Sequence, residues 1–291
     1  MAAAILLLAV ILSLLIPRVQ EALQAFLSRG RIGVVVVAVV LSCVLLLEAT
    51  RLHALSWDFA LLVFAYSLAP ALMLYGQRPG GPASWRDMAA ILLLWLPLEF
   101  AAGAKLVPKA VQGQLHAAAY GVAITLALSL FLLSRRLPGM KYNLPLRASD
   151  FGNAVVGFAV AIPLLIPLGL WLGFLAPMHG MRFTVPGLLW RMLAIFAGTA
   201  LPEEILFRSL IQNWVMQRMG PSRVVPAIVL SGLIFGCAHL DNGPQALPNW
   251  RYAILASLAG ILFGAVFARS SSVVASALVH MAVDTTKHAW F

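Results

Sequence analysis

Ten apolar runs of near-bilayer length are the feature that most limits how this chain can fold. A helix needs about 20 apolar residues to cross a ~30 Å hydrocarbon core, and backbone polar groups in lipid have to be paired within the fold. We therefore expect an all-α fold, a polytopic integral membrane helical bundle of about ten apolar spans. The runs lie at about 1–17, 31–49, 57–76, 88–107, 115–134, 152–178, 187–218, 224–240, 252–268 and 272–290.

The composition supports a membrane protein and argues against a nucleic-acid partner. Only 10% of the 291 residues are charged, whereas soluble domains average about 25%. The net charge is +10, and the basic residues lie mostly between the apolar runs, as in loops that face anionic headgroups. No basic patch is interleaved with aromatic residues in the way that nucleic-acid sites are. We expect membrane lipids as partners and no nucleic acid.

The longest and most basic loop, at about 135–150, divides the runs into two blocks of five. We expect residues 1–150 to form an N-terminal block of about five membrane spans, to which the sequence assigns no function. Residues 151–291 form a second block of about five spans. The polar residues that suggest chemistry all lie in this second block.

The two cysteines, Cys43 and Cys237, both lie within apolar runs. Their spacing is neither that of a metal-binding pair nor that of an obvious disulfide. Free cysteines in apolar surroundings usually behave as small hydrophobic residues. We expect both side chains to be buried.

A charged stretch, Pro202 to Arg208, interrupts the seventh apolar run with two carboxylates and a guanidinium. A charged side chain at mid-bilayer costs about 2.5–3.5 kcal/mol on insertion scales, so such groups usually face a protein interior or a wet cavity. On a helix, Glu204 and Arg208 are four residues apart and can pair. Glu203 is rotated from them by roughly 100°. The alternative to a functional site is an ion pair that only links helices.

Two later motifs place further polar groups on separate apolar runs. Phe235 and His239 are four residues apart, as are His280 and Asp284. At 1.5 Å per residue, Glu203, His239, His280 and Asp284 lie roughly 22, 24, 16 and 22 Å from the basic ends of their helices. They can therefore meet in one layer of the bilayer. The alternatives are a histidine that is only a hydrogen-bonded core residue, and a His280–Asp284 pair that only lowers the cost of burial.

Such a set of side chains suits the hydrolysis of an amide. A carboxylate and an imidazole that flank a water form a general base, and a second histidine beside a donor can hold an oxyanion. No serine or cysteine stands in a recognised nucleophile motif, so activated water is the expected nucleophile. Zinc held by Glu203, His239 and His280 is the alternative, although the H-E-x-x-H motif is absent. We expect no cofactor.

The three motifs, taken in order, resemble those of the CPBP intramembrane proteases, which include the type II CAAX prenyl endopeptidases and bacteriocin-processing relatives. The motifs are the run from Glu203 to Arg208 (E-E-I-L-F-R), Phe235-x-x-x-His239 and His280-x-x-x-Asp284. The resemblance covers about residues 151–291 and implies that this block is the protease core. The first five spans are not explained by it.

The resemblance also implies roles for the motif residues. Glu203 would be the general base of a glutamate-dependent peptidase, and His239 would help to activate the water. His280 and the residue at position 284 would hold the oxyanion. That position is often asparagine in the prenyl-processing branch, whereas Asp284 would need a proton to donate a hydrogen bond. Three further motif residues are expected to support the site: Glu204, Arg208 and Phe235.

The sequence therefore predicts an intramembrane endopeptidase of the bacterial cytoplasmic (inner) membrane. Its substrate would be a membrane-associated protein or peptide, hydrolysed by a water that glutamate and histidine activate. Two other classes remain open. One is a non-enzymatic membrane scaffold or immunity protein of the same fold. The other is a proton-coupled transporter, because buried carboxylates also relay protons.

Overall fold

The computed structural model describes residues 2–27, 32–181, 183–243 and 245–291, so the first residues of the expected runs 1–17 and 31–49 lie outside the described residues. Regular secondary structure in the described ranges is helical throughout. The longer helices are α1 (Ala2–Ser13), α2 (Pro17–Leu27), α3 (Gly33–Arg51), α4 (Trp57–Leu74), α5 (Trp85–Glu99), α6 (Gln112–Ala127), α7 (Ala148–Trp171), α8 (Val185–Met219), α9 (Val224–Cys237), α10 (Trp250–Arg269) and α11 (Val274–Trp290). A π-helical stretch, Leu128–Ser134, extends α6, and short 3₁₀ helices lie at Ala104–Leu106, Lys109–Val111 and Pro221–Arg223.

The expected number of about ten spans is not confirmed. Within the described residues, six helices are long and apolar enough to cross a membrane, or up to seven if α1 and α2, which meet at 101°, count as one span. Three expected runs form shorter helices: α5 has 15 residues, α9 has 14 and α11 has 17. At 1.5 Å per residue, 15 residues extend only about 22 Å, which is less than the ~30 Å core. The hydropathy pattern therefore located these segments along the chain, but it overestimated the number of residues in each helix.

The chain divides into two compact units, Met1–Gly139 and Met140–Phe291. A buried ion pair organises one end of the first unit. The Arg135 guanidinium lies 3.0 Å from Asp87 Oδ1 and donates to the carbonyl oxygens of Arg78 and Pro82 at 2.6 and 2.7 Å. Because a buried charge is costly unless it is paired and hydrogen-bonded, this arrangement ties the loop between α4 and α5 to the end of α6.

In the second unit, α7 packs against α10 and α11 through a continuous apolar core. Ala161 and Leu165 of α7, Phe263 of α10 and Val279 of α11 all belong to it and are nearly inaccessible. Alanines from all three helices lie among the larger side chains of this core. This core fixes the positions of α10 and α11. His280 is on α11, and both helices contribute to the wall of the candidate site.

Glycines bring α9 and α10 into unusually close contact. A methyl group on Gly232 would lie 2.8 Å from the backbone nitrogen of Ile261, and one on Gly236 would lie 2.5 Å from the carbonyl oxygen of Ala253. Small residues four apart allow this approach of helix backbones in membrane proteins. Phe235 and His239 are thereby held against α10.

A polar cluster joins the loop before α7 to the turn between α10 and α11. Lys141 Nζ donates to the carbonyl oxygens of Phe267 and Ser270, both at 2.8 Å, at the C-terminal end of α10, where a cation is favourable. Burial lowers the pKa of Lys141, and the charge of Asp150 acts in the opposite direction. Asp150 in turn accepts hydrogen bonds from the backbone N–H and the hydroxyl of Ser271, both at 2.6 Å. These hydrogen bonds therefore fix the position of the start of α11 relative to α7 and to the C-terminal end of α10.

The expected burial of the two cysteines is wrong, since both are exposed and free. Cys43 shares one face of α3 with the exposed side chains of Val36, Val40 and Leu47. Lipid is as apolar as the protein core, so an apolar side chain in a spanning helix can face either one. For the same reason, apolarity alone does not predict burial in this chain.

We expect Gly236→Ala to lower the free energy of unfolding by about 1–3 kcal/mol, because the added methyl group meets the α10 backbone. Gly152→Ala, on α7, is the matched control. Nothing lies within 4 Å of its added methyl group, and alanine favours a helix by up to about 1 kcal/mol over glycine. Thermal unfolding of both variants in one detergent checks this, and equal stability of the two would contradict the close contact.

Candidate active site

The charged stretch lies where α8 changes its helical pitch. Leu201–Glu204 is α-helical, and π-helical stretches flank it at Phe196–Ala200 and Ile205–Gln212. Proline has no N–H, and its ring crowds the carbonyl four residues earlier, so it normally disrupts the hydrogen bonding of a helix. A π-helical insertion changes that hydrogen bonding locally, and such insertions are frequent at functional sites. The helical run thus continues through Pro202, and the pitch change helps to set the directions of the two glutamates.

Glu204 and Arg208 form the ion pair that their spacing predicts. Arg208 Nε lies 3.1 Å from Glu204 Oε2, and neither side chain is accessible to solvent. The guanidinium also donates to Gln212 at 3.3 Å and to the Ser231 hydroxyl at 3.4 Å, and it lies 5.2 Å from the centre of the Phe235 ring. A buried charge pair is tolerated when further hydrogen bonds satisfy it. This network links α8 to α9.

One imidazole, that of His280, brings three carboxylates together. Its Nδ1 lies 3.1 Å from Glu204 Oε1, and its Nε2 lies 3.9 Å from Glu203 Oε2 and 3.6 Å from Asp284 Oδ2. The ring stacks on Phe263 of α10 at 4.8 Å and 21°. The structure therefore brings together three of the predicted site residues, and it adds a direct contact of Glu204 with His280 that the sequence did not reveal.

His239 lies beside this cluster with its tautomer defined by a backbone contact. Its Nδ1 is 2.7 Å from the carbonyl oxygen of Phe235. A carbonyl only accepts, so Nδ1 carries the proton and Nε2 of the neutral ring is an acceptor. The ring packs on Phe235 at 4.6 Å and meets the Tyr252 ring edge-on at 4.7 Å. Phe235 also contacts His280, at 5.8 Å between ring centres, so it spaces the two histidines.

A cavity of ≈ 80 Å³ opens between α7, α10 and α11. His239, His280 and Asp284 form part of its wall, and most of the remainder is apolar. A cavity needs about 10–15 Å³ to hold one water, so there is room for solvent beside both histidines. Glu203 is not part of that wall, and its side chain, 23% exposed, lies next to His280 Nε2. The cavity wall also includes Tyr252 and Lys287, which no sequence motif had indicated.

The zinc alternative would need Glu203, His239 and His280 to converge on one ion. In the part of the chain that the structure describes, no three histidine, cysteine, aspartate or glutamate side chains are placed so that they could hold a metal ion. His280 instead directs Nδ1 at Glu204.

A protein-family model described as "Type II CAAX prenyl endopeptidase Rce1-like" matches residues 185–286. This segment is CAAX-endopeptidase-like. The match confirms the resemblance stated from the motifs, all three of which lie inside it. It covers about a third of the chain and leaves the unit Met1–Gly139 outside. Comparison with curated proteins and with solved structures gives no match.

The CAAX-endopeptidase match and the helices together support a coarse description of the chain. It is an integral membrane protein with several apolar helices, and its C-terminal segment resembles a protease family. A family of this kind implies a membrane-associated peptide or protein as substrate.

We expect Arg208→Met to cost about 3–5 kcal/mol of stability, because it leaves the Glu204 carboxylate buried without its guanidinium. The double variant Glu204→Gln/Arg208→Met removes both charges and should regain most of that loss. Thermal unfolding in detergent measures both effects. A single variant as stable as the parent, or a double variant less stable than Arg208→Met alone, would contradict the assigned network.

Proposed function

We propose that the chain is an intramembrane endopeptidase that hydrolyses a peptide bond of a membrane-associated protein or peptide. The observation that carries the proposal is the convergence of Glu203, Glu204 and Asp284 on His280 beside a cavity with room for water. The CAAX-endopeptidase match over the same segment supports it. We propose the bacterial inner membrane as its location.

In this proposal Glu203 is the general base. It takes a proton from a water as the water oxygen attacks the carbonyl carbon of the scissile peptide bond. His239 accepts a hydrogen bond from the same water at Nε2, since its Nδ1–H is held by the Phe235 carbonyl. The proton on Glu203 then passes to the leaving amine as the carbon–nitrogen bond breaks. No covalent intermediate with the enzyme is formed.

His280 is placed to stabilise the tetrahedral oxyanion. As an imidazolium it donates from Nδ1 to Glu204 and presents a second N–H at Nε2, next to Glu203. Fixed donors at the developing charge are usually a large contribution to catalysis in a site that excludes bulk water. The Glu204–Arg208 pair and the stacking on Phe263 hold the ring in place.

We expect Glu203→Gln to reduce peptide cleavage by about 10²–10⁴-fold, the usual contribution of a general base. The assay uses the purified protein in liposomes with two fluorescence-quenched peptides of one sequence. One of the two is farnesylated at a cysteine that is the fourth residue counted from its C-terminus. Glu99→Gln, a carboxylate of the first unit, is the control and should keep parental activity. Cleavage by Glu203→Gln at the parental rate, or no cleavage of either peptide by the parent, would contradict the proposal.

We also propose that no metal is required. Prolonged incubation of the purified protein with a strong zinc chelator should leave the rate of peptide cleavage unchanged, and added zinc should not raise it. A loss of activity that zinc reverses would instead support the alternative of zinc at Glu203, His239 and His280. The parent protein without chelator is the reference in the same liposomes.

A further inference from the structure

Tyr252, in the first turn of α10, lies at the centre of a group of ring contacts on the cavity wall. Its ring meets His239 edge-on at 4.7 Å and stacks on Phe174 at 4.8 Å and 28°. Lys287 Nζ lies 4.9 Å from the Tyr252 ring centre and 4.8 Å from that of Phe174. Its backbone is fixed as well, because Asn249 Oδ1 accepts from the Tyr252 N–H at 3.0 Å.

All of these contacts are made by the ring or by the backbone of Tyr252. None of them needs the phenol oxygen, which distinguishes tyrosine from phenylalanine at this position. Tyr252 also lines the same cavity as His239, His280 and Asp284. Tyr252 therefore belongs to the same pocket as His280 and as Asp284, whose carboxylate lies 3.6 Å from His280 Nε2.

The proposed chemistry lacks one donor. Asp284 lies 3.6 Å from His280 Nε2 and follows it by one helical turn, which places its side chain beside the expected oxyanion. An ionised carboxylate can only accept hydrogen bonds, so Asp284 cannot pair with an oxyanion. A tyrosine hydroxyl is a neutral donor and suits this purpose.

We propose that the Tyr252 hydroxyl is a further catalytic group of this site, which donates a hydrogen bond to the oxyanion together with His280. It supplies the donor that the carboxylate of Asp284 lacks. The inference rests on the proposed peptidase function and deepens it. Lys287 and Phe174 act as positioning residues, because they hold the Tyr252 ring from its faces.

Tyr252→Phe tests this directly, because it removes one oxygen and keeps the ring contacts. Using the two liposome peptides described above, we expect kcat to fall by about 10²–10³-fold, as when one oxyanion donor is lost, with KM and thermal stability nearly unchanged. Tyr66→Phe is the matched control. It deletes a hydroxyl that donates to Leu94 in the first unit, and its kcat should equal that of the parent.

A second variant separates a donor from a packing role. Asp284→Asn introduces an amide N–H₂ at the position in question, so the double variant Tyr252→Phe/Asp284→Asn should recover at least about tenfold in kcat over Tyr252→Phe alone, since a single restored donor is typically worth more than that. No recovery in a folded double variant would overturn the donor role. A parental kcat for Tyr252→Phe, while Glu203→Gln is inactive, would overturn this inference and leave the peptidase intact. A parent no more active than Glu203→Gln would overturn both.

Discussion

The contact of His280 with Glu204 is the interaction on which the rest of the candidate site depends. It joins α11 to α8 at 3.1 Å, between a His280 side chain that is 5% exposed and a Glu204 side chain that solvent does not reach. Glu204 is held in turn by Arg208, whose Nη1 donates to Gln212 of α8 and to Ser231 of α9. Isolated buried charges cost several kcal/mol each, so these groups are stable only as a set. One histidine thereby determines where Glu203 and Asp284 can lie.

The helices around this set are positioned by two unlike kinds of contact. Gly232 and Gly236 let the α9 backbone approach α10, which places His239 by direct packing. The hydrogen bonds of Lys141 and Asp150 fix the turn between α10 and α11, and they thereby fix the position of His280 relative to α10. His239 and His280 are therefore anchored by different contacts, and the cavity that they share requires the whole second unit to be folded.

Much of the site followed from the sequence because a helix has a fixed rise. Counting 1.5 Å per residue placed Glu203, His280 and Asp284 at similar depths, and in the structure Glu203 and Asp284 lie within 4 Å of the His280 ring. The number of spans could not be predicted in this way. Hydropathy does not say where a helix ends, and α5 and α9 end early.

Other features depend on tertiary packing that no motif records. Tyr252 stands alone in the sequence, and its place beside His239 follows from the Asn249 cap and the close contact of α9 with α10. Cys43 was expected in the core and lies on an exposed face, since lipid and protein interior accept the same side chains. The role of the first unit was not predictable either, because its buried Asp87–Arg135 pair holds loops together without indicating a reaction.

The central claim is that Glu203 activates a water for peptide hydrolysis, and the profile of peptide termini in membranes tests it most directly. Membranes that contain the parent, Glu203→Gln or His239→Ala protein at equal levels are compared by mass spectrometry. We expect membranes with the parent protein to contain a set of new peptide termini that is absent from membranes with either variant. The same termini in membranes with the parent and with Glu203→Gln would contradict it.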